Sequence, residues 1–296
     1  MTQVLAVVGP TASGKSALAV ALAQRLSGEV VSADAYAIYR GMDIGTATPS
    51  AAERAGVPHH LIDIVDPVQA VTVAEFQQWA RTAIEDVAAR GRLPILVGGS
   101  GLYVAAVLDD LQFPGTDPLV RARLEQDLQR EGSVALHARL GRLDPAAALA
   151  ILPTNGRRIV RALEVTGEPF TATLPRDTEV VPATRVGLRV DREVMDARIA
   201  ARVQRMWAEG LLEEVRALPD LAAAHTASRA LGYSQALAYL AGTCTREEAI
   251  ANTVDATRGF ARRQQRWFGR DERVTWVDHD APDLVDQVEA VWRTAT

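Results

Sequence analysis

VLAVVGPTASGKSALAVAL, residues Val4 to Leu22, changes pattern twice. Val4 to Val8 is continuously apolar, as in a strand buried on both faces of a parallel sheet. Gly9-Pro10-Thr11-Ala12-Ser13-Gly14-Lys15-Ser16 then fits G-x-x-x-x-G-K-[ST] in full. Leu18, Ala19, Leu22 and Leu26 follow at helical spacing. Strand, Gly-rich turn and helix in this order predict a phosphate-binding loop. The glycines let the backbone curl so that its N–H groups face inward, and the N-terminus of the helix adds to the anion site. Lys15 supplies a point charge and the Ser16 hydroxyl can ligate Mg²⁺. Lys15 is the single lysine of the chain, in a background of arginine, and it occupies the one slot where such a loop requires lysine.

The loop by itself specifies an oligophosphate, not its owner. ATP-using loops of this kind are usually followed by an apolar strand ending in Asp; here Leu93 to Val97 ends in Gly98-Gly99-Ser100-Gly101. No Asn-Lys-x-Asp guanine signature is possible with one lysine. A small-molecule kinase using ATP and a non-catalytic, nucleotide-gated RNA-binding protein are the alternatives that these residues leave open.

Composition sets outer bounds. A chain of 296 residues with 48% hydrophobic and 23% charged residues reads as an ordinary globular protein of one large domain or two modest ones. No apolar run is long enough to cross a bilayer, and the first apolar run leads into a Gly-rich turn and so reads as a strand, not a signal peptide. A cytoplasmic protein without membrane contact is expected. The one cysteine, Cys244, excludes an internal disulfide and a multi-cysteine zinc module. A net charge of −5 excludes a generally basic nucleic-acid coat but not a local basic patch.

Outward from the loop, short strands are expected at Glu29–Ser32, His60–Val65, Leu93–Val97, Val186–Val190 and Val274–Val277. Between them lie helical patterns, among them Val73–Ala89, Glu193–Leu218 with a gentle break at Gly210, and Thr253–Phe268. Alternating strands and helices predict an α/β fold: a P-loop-type parallel sheet flanked by helices. From Asp117 to about Gly167 only helical signals occur, and Phe170–Thr184 reads as a loop. The expected organisation is a P-loop catalytic core of residues 1–112 and 186–296, with an all-helical domain inserted at 113–185.

Asp34, just past the second strand, would border the ligand crevice at the carboxyl edge of the sheet. A carboxylate there serves as a general base or holds Mg²⁺ through water, and the plainer reading is a turn or N-cap residue. His59 and His60 are adjacent and cannot share a face, so a two-His metal site is not expected; a structural role is favoured. Arginines cluster at Arg157, Arg158 and Arg161, and again from Arg258 to Arg273 among Phe260, Trp267 and Phe268. Arginine grips phosphates and aromatics stack on unpaired bases; the competing reading is a salt-bridged helix face with buried aromatics.

These parts together resemble the bacterial tRNA dimethylallyltransferases, also called isopentenyltransferases. The matching segments, in family order, are GPTASGKS, SADAYAIYRGMDIGTATP, PHHLIDIVDP, GGSGLY, RRIVRALEV, RIAARVQRMWAEGLLEEV, ALGY and TRGFARRQQRWF, spanning Gly9 to Phe268. The resemblance implies transfer of a dimethylallyl group from dimethylallyl diphosphate to N6 of the adenine 3′ to the anticodon, in tRNAs reading codons that begin with U. It implies that Gly9 to Ser16 holds the diphosphate, with Mg²⁺ on Ser16, that Lys15 and Arg202 steady the leaving charge, and that Asp34 takes the proton from the amine. It implies a flipped base in a channel entered from opposite ends by the two substrates. It matches Asp34, Ala35, Tyr36, Ala37, Ser100, Arg157, Arg158, Arg161, Arg229 and Tyr233 to tRNA-contacting regions, with the helical domain gripping the anticodon stem. Relatives often carry Ser or Gln where Ala35 and Ala37 stand, and Thr where Ser100 stands. A monomer is expected.

Overall fold

The computed structural model describes residues 3–115, 117–165 and 178–295. In chain order the first elements are β1 (Val4–Val8), α1 (Lys15–Leu26), β2 (Gly28–Ser32), α2 (Ala51–Arg54), β3 (His59–His60), α3 (Val73–Ala89), β4 (Leu93–Gly98) and α4 (Gly101–Leu108). Four helices follow: α5 (Pro118–Glu131), α6 (Ser133–Leu143), α7 (Pro145–Ala150) and α8 (Gly156–Glu164). The chain then runs through β5 (Ala183–Arg189), α9 (Arg192–Ala208), α10 (Leu211–Ala217), α11 (Tyr233–Leu240), α12 (Arg246–Phe268), β6 (Val274–Asp278) and α13 (Leu284–Ala295).

All strand pairings among the described residues are parallel, in the order β3-β2-β4-β1-β5-β6. Side chains of a strand alternate between faces. Val4, Ala6 and Val8 accordingly enter the larger core, built with α3, α4 and α9 to α12. Leu5 and Val7 enter the smaller one, packed with α1 and α13. A sheet covered on both faces explains why β1 is apolar at every position. Arg25 of α1 pairs with Asp286 and Glu289 of α13 over the smaller core.

The chain divides into two compact units, residues 1–108 with 181–296, and residues 109–180. The second holds α5 to α8 around Leu124, Leu136, Leu140, Ile151 and Ile159. Its Arg161 donates to the carbonyls of Gly115 (3.1 Å) and Pro114 (2.5 Å) and pairs with Glu164, pinning the chain that enters α5.

Several boundaries differ from expectation. The strand expected at His60–Val65 is two residues long, because Leu61 and Asp63 take left-handed φ angles (63° and 56°) that break the pleat. The strand expected at Val186 begins at Ala183, so the boundary at 185 falls inside the sheet. The remainder of the expected loop at Phe170–Thr184 lies largely outside the described residues. The Glu193–Leu218 helix is broken outright: Gly210, at φ 107°, separates α9 from α10. The helix expected from Thr253 starts at Arg246, where Thr245 and Glu248 close a capping box worth about 1 kcal/mol. The Thr253 hydroxyl is spent on the Ala249 carbonyl at 2.7 Å, a mid-helix bond that removes it as a cap. α2, α11 and α13 had no expectation attached to them.

Candidate active site

The carboxyl ends of β1, β2 and β4 carry the chemistry to one edge of the sheet. Register pairs Val8 with Gly98 and Ser32 with Val97, so the Gly9–Ser16 loop, Asp34 and Gly98-Gly99 lie side by side. This is the edge at which open parallel sheets bind ligands.

The loop is built as its pattern requires. Gly14 takes φ 96° at the N-cap of α1, and no side chain caps that helix. The first N–H groups of a twelve-residue helix are thereby left for an anion, with no acidic residue in the first turn to compete. Thr11, Ala12, Gly14, Lys15 and Ser16 line a cavity of about 300 Å³. Gly9, Pro10 and Ser13 are buried beneath it and form the frame of the loop rather than its lining. The Lys15 ammonium donates to the Pro10 carbonyl at 2.5 Å. Burial, then the neighbouring Arg202 charge, pushes Lys15 down to about 7, against the opposing pull of Asp34.

Two long helices are stitched to the loop. From α9, Arg202 donates to Thr11 Oγ1 at 3.2 Å. Its pKa is lowered, chiefly by burial and then by Arg205, while Asp34 and Glu53 oppose the shift. From α12, Gln264 Oε1 accepts the Thr11 N–H at 2.8 Å. Gln264 is buried and lies in the TRGFARRQQRWF segment, which sequence reasoning read for its arginines and aromatics alone.

Asp34 is both a turn residue and a cavity residue. Its Oδ1 accepts the N–H groups of Tyr36 (2.8 Å) and Ala37 (3.2 Å), the Asx-turn geometry of the plainer reading. That turn fixes the carboxyl group and leaves Oδ2 for chemistry. Asp34 lines the first cavity and also a second one of about 300 Å³. Thr11, Thr46, Arg202 and Phe260 line both cavities as well, so the two adjoin across these residues. The second holds Tyr36 and Arg229, and Val203, Met206 and Leu231 give it an apolar wall. Arg263 lies over the Phe260 ring at 5.8 Å, a cation–π contact at its rim. Phe260 and Thr46 were not singled out from sequence as lining residues; their position at the junction depends on helix docking.

Other expected residues lie elsewhere. Ala37 lines the first cavity, whereas Ala35 and Ser100 line neither. Tyr233 is a correction: it is fully buried, and its hydroxyl donates to Glu214 at 2.5 Å, so it is no surface for RNA. Arg157, Arg158 and Arg161 belong to α8 of the helical unit; the first two are exposed, and Arg161 is tied to the Pro114 and Gly115 carbonyls. In the 258–273 cluster, Arg258 faces Asp196 and Asp255, and Arg273 pairs with Asp271, which supports the salt-bridged reading for these two. His60 bonds Glu29 at 2.7 Å beside Arg90, a structural ion cluster. His59 lines the first cavity with Nδ1 2.9 Å from the Val57 carbonyl, and burial lowers its pKa.

No group of three or more His, Cys, Asp or Glu among the described residues could cage a metal ion. The exposed Ser16 hydroxyl on the first cavity is one hard oxygen donor, which suits Mg²⁺ held mainly by substrate phosphate and water. Among the described residues no helix is long and apolar enough to cross a membrane.

Residues 37–271 match the family model of the IPP transferases. The chain belongs to that family. A relative from Thermobifida fusca (strain YX), named tRNA dimethylallyltransferase, is 60% identical over 98% of this chain and 94% of its own. The crystal structure of the full-length tRNA isopentenylpyrophosphate transferase from Bacillus halodurans superposes with a TM-score of 0.74 at 40% identity, covering 100% of this chain and 97% of that one. A eukaryotic dimethylallyltransferase acting on tRNA, at 24% identity and a TM-score of 0.78, covers 98% of this chain and 78% of that one and shares the fold. The IPP transferase match begins at Ala37, so the loop and Asp34 stand outside it.

Proposed function

We propose that this chain transfers a dimethylallyl group from dimethylallyl diphosphate to N6 of the adenine 3′ to the anticodon of tRNA. The observation that carries the reading is the pair of adjoining cavities with Asp34 at their junction. One has an anion cradle and two cations; the other has an apolar wall and an arginine at its rim. The donor's diphosphate fits the first, and an unstacked base fits the second.

In the reaction the allylic C–O bond breaks and the diphosphate leaves with the electron pair. The loop N–H groups, Lys15 and Arg202 meet the charge that develops there, an electrostatic contribution of several kcal/mol in comparable sites. The adenine N6 lone pair forms the new N–C bond. Its N–H becomes acidic as that bond forms, and Asp34 Oδ2 accepts the proton. The Asx turn holds the carboxyl group in place during the transfer. Ser16 would hold Mg²⁺, which when bound adds positive charge on the diphosphate. The exposed Arg157 and Arg158 serve the RNA through its phosphates. We place the reaction in the cytoplasm and the protein as a monomer, which sedimentation at working concentration checks.

The test is incubation of the purified protein with labelled dimethylallyl diphosphate and unmodified tRNA, followed by nucleoside analysis. Labelled N6-isopentenyladenosine is the expected product. Transfer of phosphate from ATP, or RNA binding with no donor consumed, would overturn the reading.

A further inference from the structure

Glu214 stands near the start of α10 and lines neither cavity, yet its carboxylate accepts four hydrogen bonds. Oε2 accepts the N–H groups of Asp43 (3.0 Å) and Ile44 (2.8 Å). Oε1 accepts the Gly45 N–H at 3.3 Å and the Tyr233 hydroxyl at 2.5 Å. Three successive backbone N–H groups thus converge on one anion, a nest of the kind that binds phosphate elsewhere. Among the described residues Glu214 forms no ion pair; its partners are three backbone N–H groups and one hydroxyl.

The nest exists because of close packing behind it. A Cβ on Gly45 would run into the Tyr233 ring, so glycine is the residue that lets the turn descend onto Tyr233 and Glu214. Burial, together with Glu214, raises the Tyr233 pKa, which keeps the hydroxyl a donor. Ahead of the nest, the Thr46 hydroxyl donates to the Met42 carbonyl and lies 2.8 Å from Thr48 Oγ1, and the Thr48 N–H returns to the Asp43 carbonyl at 3.0 Å. The turn held by Glu214 therefore places Thr46 and Thr48 as a unit. Thr46 lines both cavities at their junction with Asp34, and Thr48 lines the first.

We propose that Glu214 is a positioning residue for the transfer reaction: it anchors the 43–46 turn, and through it the wall where donor and acceptor meet. The inference rests on the proposed function for its kinetic consequence, but not for its geometry. Carboxylate is required rather than amide. Whichever way the side chain of a Glu214→Gln variant turned, its NH₂ would face a backbone N–H, that of Gly45 in one orientation and those of Asp43 and Ile44 in the other, and the less damaging orientation still loses the Gly45 bond and the charge.

The experiment compares wild type with Glu214→Gln, Glu214→Ala and Tyr233→Phe. Hydrogen exchange of the Ile44 and Gly45 amides is expected to quicken about tenfold or more in Glu214→Gln, the equivalent of one charge-assisted hydrogen bond, and further in Glu214→Ala. Single-turnover transfer at saturating substrates is expected to fall by a similar factor per active site, with the Kd for inorganic diphosphate unchanged within about twofold. Tyr233→Phe keeps the ring beneath Gly45 and should fall between wild type and Glu214→Gln. Wild-type exchange and wild-type turnover in both Glu214 variants would overturn the proposal. So would a loss that merely tracks the folded fraction, with diphosphate binding falling in step. If wild type itself transfers no prenyl group, the proposed function fails, while the exchange data still judge the clamp.

Discussion

Raising the pH on the empty protein should disarm Lys15 before any other group in the cradle. Its ammonium has an ordinary pKa of 10.5 and is pushed to about 7 by burial and by Arg202. At pH 8 about nine in ten copies are therefore neutral. A diphosphate beside Lys15 supplies the opposite charge that the empty cavity lacks and raises the pKa again. Binding must then draw a proton from solvent: about half a proton per event at pH 7 and about 0.9 at pH 8. The sign follows from the direction of the shift. Below pH 7 the lysine is already charged and binding is independent of pH through this group. Above pH 7 the affinity falls by about tenfold per unit until the pKa of the bound state is reached. Above pH 7 a phosphate group has largely completed its second ionisation, near 6, so the donor adds little slope of its own. Calorimetry of dimethylallyl diphosphate binding at pH 7 to 9, in buffers of different ionisation enthalpy, reads the proton uptake directly. Lys15→Met should bind more weakly and with no slope. A flat affinity with no uptake in wild type, or an equal slope in Lys15→Met, would refute the reasoning.

Asp34→Asn should leave donor affinity within about twofold and cut turnover by a hundred- to ten-thousandfold, the range of a lost general base; quench-flow with saturating tRNA measures it. Gln264→Ala removes the acceptor of the half-buried Thr11 N–H and should raise the donor Kd about tenfold, read by the same calorimetry. Replacing Arg157 and Arg158 by Ala should reduce the slope of log Kd for tRNA against log salt by about 0.7 to 0.9 for each phosphate no longer neutralised. Arg161→Ala should instead lower the melting temperature, since its guanidinium holds two backbone carbonyls and Glu164.

The loop was legible because its chemistry is local. Positive-φ glycines, a helix N-terminus and a lysine must follow one another along eight residues, so the pattern and the structure are nearly the same statement. Asp34 was legible by the same logic, one strand further on. Apolar spacing alone gave the ends of Val73–Ala89 as found, but it put the start of α12 at Thr253, although Thr245 and Glu248 form a capping box that the sequence displays. Tyr233 was matched to a tRNA-contacting region by resemblance alone, and only the docking of α10 and α11 against the 43–45 turn shows that it is buried.

What the residues alone determined about this protein is the sheet of parallel strands, the anion cradle and the acid beyond it, since each is encoded by neighbours in the chain. What the tertiary structure alone decided is which distant groups complete them. Arg202 and Gln264 reach Thr11 across 191 and 253 residues of chain, Phe260 lines the same two cavities, and Glu214 holds a turn about 170 residues before it. Long-range pairings of this kind depend on how faces of helices pack on a common sheet, and a one-dimensional pattern records the faces without recording what they meet.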